Sequence, residues 1–290
     1  MIIKFIPVTV EKIWGGNKFQ SLYGYNTSDT CGECWGISAH KSNSSVIENT
    51  IYKGKTLRDL YNEQRKLFGN YKSDEFPILV KIIDAKTNLS IQVHPNDDYA
   101  SKFGSLGKEE CWYILDAKPD TNIIIGHTAT SKQELEQAIK KNTLDEFYNK
   151  TKIKKGDFFY INAGTMHAIC GGTTILEVQQ SSNITYRLYD YGRLVNGIPR
   201  DLHIKESLDV LTIPDETITR KHNNRYFNYD IITNNKKVKQ LSHTHGDYIF
   251  IIDGEGMFDD LPVKKGDFLM IPSDTSYVVN GHLYYQKTTF

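Results

Sequence analysis

The segment Asn88-Leu89-Ser90-Ile91-Gln92-Val93-His94-Pro95 carries a hydroxyl, an amide and an imidazole at alternate positions. Read as a strand, it puts Ser90, Gln92 and His94 on one face and Leu89, Ile91 and Val93 on the other. A strand presenting three such polar side chains together is building a site. Two further ligand-type residues extend it: Glu110 in Gly107-Lys108-Glu109-Glu110-Cys111-Trp112 and His167 in Ala163-Gly164-Thr165-Met166-His167. A catalytic zinc accepts imidazole nitrogen and carboxylate oxygen and keeps one position open for water or substrate. Gln92, His94, Glu110 and His167 would supply such a mixed shell, leaving a net charge of about +1 on a divalent ion. That centre could polarise a carbonyl or hydroxyl oxygen. Taken singly, either histidine also reads as a core residue with an internal partner. The alternating strand and the Gly-containing turn before His167 favour the common site.

A second stretch, Glu177-Val178-Gln179-Gln180-Ser181-Ser182-Asn183-Ile184-Thr185-Tyr186-Arg187, is dense in polar groups. By the strand period of two, Asn183, Thr185, Arg187 and Tyr189 share a face. An arginine there can fork onto a phosphate or steady an oxyanion; the alternative is an edge-strand arginine paired with Asp190 or Glu177. Lys81 stands inside the apolar run Pro77-Ile78-Leu79-Val80-Lys81-Ile82-Ile83. A lysine on a buried strand needs a partner or a task, unless it reaches water from a barrel mouth.

The elements that must hold these residues are mostly short strands separated by Gly, Pro, Asn and Asp, the pattern of a β-sandwich or barrel. Strands are predicted over 77–84, 88–94, 111–116, 122–125, 157–161 and 174–180. Capping boxes at Ser131-Lys132-Gln133-Glu134 and Thr143-Leu144-Asp145-Glu146 mark a helical insertion over 131–150. Helices are also predicted near 56–61 and 202–211. Beyond about residue 220 the chain reads as a compact β segment with turns at Asp253-Gly254-Glu255-Gly256 and Lys265-Gly266-Asp267. Lys265-Gly266-Asp267-Phe268-Leu269-Met270-Ile271 echoes Lys155-Gly156-Asp157-Phe158-Phe159-Tyr160-Ile161, which suggests two related halves. The expected division is 1–220, carrying the chemistry, and 221–290, a smaller structural β domain. His243-Thr244-His245, with no suitably placed carboxylate after it, reads as a solvated loop.

Among the 290 residues, 35 basic side chains balance 35 acidic ones, so no global field favours nucleic acid or an anionic membrane. An anionic ligand has to be met by a local cluster of cations. No apolar run approaches the ~18 residues that span a bilayer, and the N-terminus lacks a leader pattern, so the expectation is a cytoplasmic protein. Cys31, Cys34, Cys111 and Cys170 are too scattered for a disulfide scaffold and are read as reduced thiols. Nothing here separates a monomer from a homodimer.

Several ordered motifs carry a resemblance. Phe76-Pro77-Ile78-Leu79-Val80-Lys81-Ile82-Ile83-Asp84-Ala85, Leu89 to Asp97, Lys108 to Tyr113, Gly164 to Ile169 and Ile175 to Arg187 resemble the short bacterial type I mannose-6-phosphate isomerases of the cupin superfamily. Gly32 to His40 and Arg200-Asp201-Leu202-His203 extend the likeness over residues 5 to 210. The resemblance implies a cupin-type β-barrel (jelly roll) that binds one zinc per chain and interconverts mannose 6-phosphate and fructose 6-phosphate through an enediol. By position Gln92, His94, Glu110 and His167 look like the zinc ligands and Arg187 like the catalytic arginine. Lys81, Ser90, Lys108 and Glu177 look like residues shaping the sugar-phosphate pocket. Glu177, Lys108 and a metal-bound hydroxide are candidates for the general base, and Lys81, Ser90 and Arg187 for phosphate contact.

The sequence departs from the family pattern at Asn162, where a proline usually stands, at Asn183, where an aspartate does, and at Gly36, where an acidic residue does. Asn183 is nonetheless expected on the substrate side of the pocket. The competing readings are a cupin isomerase for another sugar phosphate, a sugar-binding cupin without turnover, and a β-barrel with structural histidines.

Overall fold

The Ile78–Ala85 strand is apolar at nearly every position, and a strand of that composition needs cover on both faces. The computed structural model, which describes residues 1–215 and 225–290, supplies that cover. The strand lies inside a seven-stranded sheet. Its order is Phe158–Ile161, Glu110–Ala117, Thr173–Gln180, Ile78–Ala85, Val8–Gly16, Cys31–His40 and Asn43–Ser44. On one side faces a five-stranded sheet ordered Tyr148–Lys152, Asn122–His127, His167–Ile169, Ile91–Val93 and Tyr186–Tyr189. Ile83, Trp112, Ile114, Phe159 and Ile175 from the first sheet meet Ile123, Ile125 and Ile169 from the second. These two sheets and the core between them form the expected mainly β, cupin-type barrel.

The opposite face of the seven-stranded sheet sends Val80, Ile82, Cys111, Leu176 and Val178 into a second core. There they meet Tyr229, Tyr248, Phe250 and Phe268 of an eight-stranded sheet. That sheet encloses a further core of its own, including Ile249, Ile251, Leu269, Ile271, Val279 and Leu283. It also takes in two early strands, Ile3–Ile6 and Val46–Ile47: Ile3 to Phe5 pair with Met270 to Phe268, and Phe5 with Ile47. The expected boundary at residue 220 leaves these strands with the first unit, whereas their hydrogen bonds lie in the later sheet.

The outer face of the five-stranded sheet, with Ile91, Val93, Ile124 and Leu188, is closed by Leu135 and Ala138 of the Lys132–Lys141 helix and Leu208 of the Ile204–Val210 helix. Ser131 caps the first of these by accepting from the Glu134 amide, and Asn142 ends it in the left-handed region at φ 58°. The expected insertion over 131–150 is helical only through Phe147; Tyr148–Lys152 is a strand beside Asn122–His127. The Leu57–Glu63 helix begins at the Thr56 capping box.

One expectation fails for a local reason, and a second holds for two residues of three. Asp253 to Gly256 is no turn: it lies within the Asp247–Phe258 strand, where an irregularity between Ile251 and Asp253 and a left-handed Gly254 (φ 89°) mimic turn composition. His243 and Thr244 are exposed, but His245 is half-buried, stacked on Phe290 with Nδ1 3.1 Å from the Phe68 carbonyl. All four cysteines are free thiols. Among the described residues no helix is long and apolar enough to cross a membrane.

Candidate active site

Alternation along the facing strands decides what enters the space between the two sheets. Ile91 and Val93 point outward into the helix-covered core, so Gln92 points inward. The regular strand is only Ile91–Val93, and Leu89 lies before it; Leu89 therefore joins the inner core rather than the side of Ile91 and Val93. The same logic carries Arg187 inward between Tyr186 and Leu188. A bulge between Arg187 and Tyr189 then turns Tyr189 outward, against the expected shared face.

Across the seven-stranded sheet, Trp35, Lys81, Glu177 and Trp112 are directly opposite one another on four neighbouring strands. Lys81 Nζ stands 2.9 Å from Glu177 Oε1 and 5.8 Å from the Trp35 ring. The lysine thus has a partner. Trp112 Nε1 donates to Glu110 Oε1 at 3.0 Å and to Glu177 Oε2 at 3.1 Å, tying the two carboxylates together.

His94, Glu110 and His167, all buried, place ligand atoms within 4.8 Å of one another. The two Nε2 atoms are 3.2 Å apart, and Glu110 approaches them at 3.6 and 3.5 Å. Each imidazole is aimed by its other nitrogen: Nδ1 of His94 lies 2.9 Å from the Ile184 carbonyl and Nδ1 of His167 lies 2.9 Å from the Thr165 carbonyl. A ring that donates from Nδ1 to a backbone carbonyl leaves Nε2 as a lone-pair donor, the arrangement metal-binding histidines adopt. Gln92 is hydrogen-bonded in register with His167, and its amide lies 3.3 Å from His167 Nε2. Ser90 Oγ contacts the other amide atom at 3.4 Å. Lys108 Nζ contacts His94 Nε2 at 2.8 Å and also the Glu110 carboxylate, so a cationic group already sits against these donors.

Burial, reinforced by the positive charge of Lys108, holds both histidines neutral. His94 lies well below its ordinary value, and His167 is pushed down to about 4. Burial and the neighbouring Glu110 raise the Glu177 carboxyl, against the pull of Lys81 and Lys108. Burial opposes the charge on Lys81, but Glu177 and Glu33 outweigh it and keep the ammonium protonated. Burial lowers Arg187, helped by nearby Arg200, and its Nε has no hydrogen-bond partner.

Gln92 and Lys108, which touch this cluster, line a cavity of about 290 Å³ with Lys81, Ser90, Glu177, Asn183, Thr185 and Arg187, while His94, Glu110 and His167 lie buried behind them. The structure thus brings together the residues singled out in the sequence. It adds Lys12, Trp14, Glu33, Arg200 and His203. Glu33 carried a usable signal, being the one acidic residue in the otherwise uncharged stretch Cys31 to Ala39; it accepts from Trp35 Nε1 at 2.7 Å and pairs with Lys12 at 3.4 Å. Neither Asp190 nor Glu177 takes Arg187. Asp190 is held by Arg193 and Arg200, with Arg200 Nε at 2.7 Å.

Of the departures from the family pattern, Asn162 still closes its turn by accepting from the Thr165 amide at 3.2 Å, and the Gly164 amide donates to the His94 carbonyl at 2.9 Å. Gly36 lies outside the cavity, at an irregularity of its strand, with its Cα against the Phe268 ring.

The profile of the family described as phosphomannose isomerase type I, catalytic domain, matches residues 2–131. The mannose-6-phosphate isomerase ManA of Bacillus subtilis is 41% identical, with 92% of each chain covered. That of Streptococcus mutans is 52% identical over 70% of this chain and 65% of its own. The crystal structure of the mannose 6-phosphate isomerase from Bacillus subtilis superposes with a TM-score of 0.94 at 39% identity, covering 100% of this chain and 99% of that one. Inner-facing histidines and glutamate on a two-sheet barrel, and likeness along almost the whole length, agree: the chain belongs to the mannose-6-phosphate isomerase family.

Proposed function

We propose that the chain interconverts mannose 6-phosphate and fructose 6-phosphate at this cavity, with one zinc held by Gln92, His94, Glu110 and His167. The observation that carries the proposal is the convergence of two neutral Nε2 atoms, each aimed by a backbone carbonyl, on one buried carboxylate. Two nitrogens, a carboxylate and an amide oxygen, which a flip of the Gln92 amide would turn inward, suit a catalytic zinc. When bound, the metal acts as a Lewis acid toward the oxygens of the open-chain sugar.

The chain's own residues supply the rest. Isomerisation moves a proton from C2 to C1 of the open-chain sugar through an enediol, so negative charge develops on oxygen as the C2–H bond breaks. Arg187, inward-facing with an unpartnered Nε, donates to that oxygen. A carboxylate suits the base role when its pKa is raised toward neutrality, and Glu177 has that character. Lys108, 4.0 Å from Glu177, neutralises the carboxylate and can return a proton to substrate oxygen. Five cationic side chains and two carboxylates line the cavity, so a neutral protein presents local positive charge to a phosphate dianion. Lys81, on the seven-stranded sheet, and Ser90, just ahead of Ile91–Val93 in the facing wall, line the cavity, with the exposed Asn183 at its rim.

A coupled isomerase assay beside metal quantification tests the assignment. Wild type is expected to turn over mannose 6-phosphate with one zinc per chain, and His94→Ala to lose both. Failure of the zinc-loaded wild type to turn over mannose 6-phosphate would refute the substrate; activity retained in metal-free protein would refute the metal.

A further inference from the structure

The echo between Lys155-Gly156-Asp157 and Lys265-Gly266-Asp267 extends far beyond those residues. Gly156 and Gly266 both take left-handed backbone, at φ 91° and 94°. The Lys154 and Lys264 amides both donate to the following aspartate Oδ2 at 2.9 Å. Gly156 donates to the Ile114 carbonyl and Gly266 to that of Ile251, while Ile114 and Ile251 donate back to Asp157 and Asp267. The neighbouring ladders repeat as well. Ile175 pairs with Ile114 and Thr174 with Asp116, skipping Leu115; Tyr285 pairs with Ile251 and Tyr284 with Asp253, skipping Ile252. Even the bulge is duplicated. The next turn agrees too, with Gly164 and Asp274 both left-handed.

This register maps the first site onto the second residue by residue. Ile161 faces Glu110, and Ile271 faces Asp247. His167 faces Gln92, and Tyr277 faces Gln240. Two residues beyond each glutamine stand His94 and Ser242. Glu177 faces Lys81, and Lys287 faces Asp230, the same cross-strand charge pair with its signs exchanged. In the second copy a tyrosine fills the place of a histidine. Tyr277 OH lies 2.8 Å from Asp247 Oδ2 and 2.8 Å from Gln240 Oε1. Asp247, 1% exposed, also accepts from the His243 amide at 2.9 Å and faces Lys287 at 3.8 Å. Ser242 donates to the Pro272 carbonyl at 2.6 Å and accepts from the Thr275 amide at 2.8 Å.

We propose that the C-terminal β unit contains a latent divalent-cation site, a duplicate of the His94–Glu110–His167 centre closed by the Tyr277 hydroxyl and the short Ser242 side chain. The retained frame, Gln240 and the carboxylate of Asp247, is expected to accept a metal once imidazoles replace the two closing residues. In the natural chain the cluster is a clasp: the phenol proton occupies the carboxylate that a metal would take. The first site's identity as a metal centre rests on the functional reading above, but the latent site can be tested without it.

The test reads zinc or cobalt(II) content, and the cobalt visible spectrum, in a His94→Ala/His167→Ala background. There Ser242→His/Tyr277→His is expected to bind one equivalent with an imidazole-ligated cobalt spectrum, and the unmodified background none. A folded variant, checked by circular dichroism, that binds no ion overturns the proposal. Tyr277→Phe in the otherwise natural chain gives a second reading. It is expected to lower the melting temperature by several degrees while the zinc content and both kcat and KM stay within twofold of wild type. An unchanged melting temperature would show that the clasp is absent, and altered zinc content would show that Tyr277 serves the first site instead. Wild type lacking zinc altogether would sink the functional reading and leave the first test intact.

Discussion

Replacing Lys81 with Met separates what the Lys81–Glu177 pair does for folding from what it does for chemistry. The ions are 2.9 Å apart with side chains 8% and 3% exposed. At an effective dielectric of ~20, charges at that distance attract by about 6 kcal/mol, while desolvation opposes this by several kcal/mol per ion. The intact pair therefore contributes little net stability. Removing one partner leaves the other's desolvation uncompensated, about 3–5 kcal/mol, or a fall in melting temperature of roughly 10 °C for a chain of this size.

The loss in Lys81→Met carries a pH signature. Burial and Glu110 raise the folded pKa of Glu177 above the ~4.3 of an unfolded glutamate even though Lys81 pulls it down, so loss of Lys81 raises it further than in wild type. Below that unfolded value Glu177 is protonated in both states and the variant is least impaired. As pH rises through the raised folded value the stability is lost, so the deficit widens from pH 4 toward neutrality. The double variant Lys81→Met/Glu177→Leu removes both ions and is expected to melt within a few degrees of wild type while remaining inactive. Thermal unfolding across pH 4 to 8, beside the coupled isomerase assay, reads both effects. If the double variant is no more stable than Lys81→Met, the two residues are not coupled as argued; if it turns over normally, the pair has no part in catalysis.

Arg187→Ala is expected to lower kcat about 10²-fold or more, as loss of an oxyanion donor does, with zinc content unchanged by metal analysis. Asp190→Ala removes the carboxylate that Arg193 and Arg200 share, frees Arg200 and leaves Arg193 only its backbone carbonyl partners; it should speed tryptic cleavage at Arg200, read by mass spectrometry against wild type. Gly36→Ala would put a Cβ 2.1 Å from the Phe268 ring; overpacking of this kind destabilises by about 1–3 kcal/mol, and calorimetry should show it while kcat and KM hold.

Period-two alternation was enough to gather Ser90, Gln92 and His94, because a strand's side-chain direction is a local property. Glu110 and His167 were legible as ligand types, and their meeting with that strand depends on cross-strand pairs such as Gln92 with His167. Alternation failed where the backbone departs from regular pleating: at Leu89, ahead of the strand, and at Tyr189, past a bulge. Lys12 and Trp14 carry no such local signal, because their strand reaches the site by lying beside Ile78–Ala85, far along the chain, an order no local pattern records. The same holds for Ile3–Ile6, one of whose two partner strands lies at the far end of the chain.

The two walls of the cavity should differ in stiffness. Lys81, Glu177 and Trp112 stand on eight-residue strands of a sheet buried on both faces. Gln92, His167 and Arg187 stand on strands of three, three and four residues, covered on the outside by short helices. Backbone amides of Ile78–Ala85 should exchange with solvent only on global unfolding, and those of Tyr186–Tyr189 through smaller local openings. Substrate entry would then be a hinge-like breathing of the thin wall against a fixed anvil, with Glu177, the proposed base, held on the side that does not move.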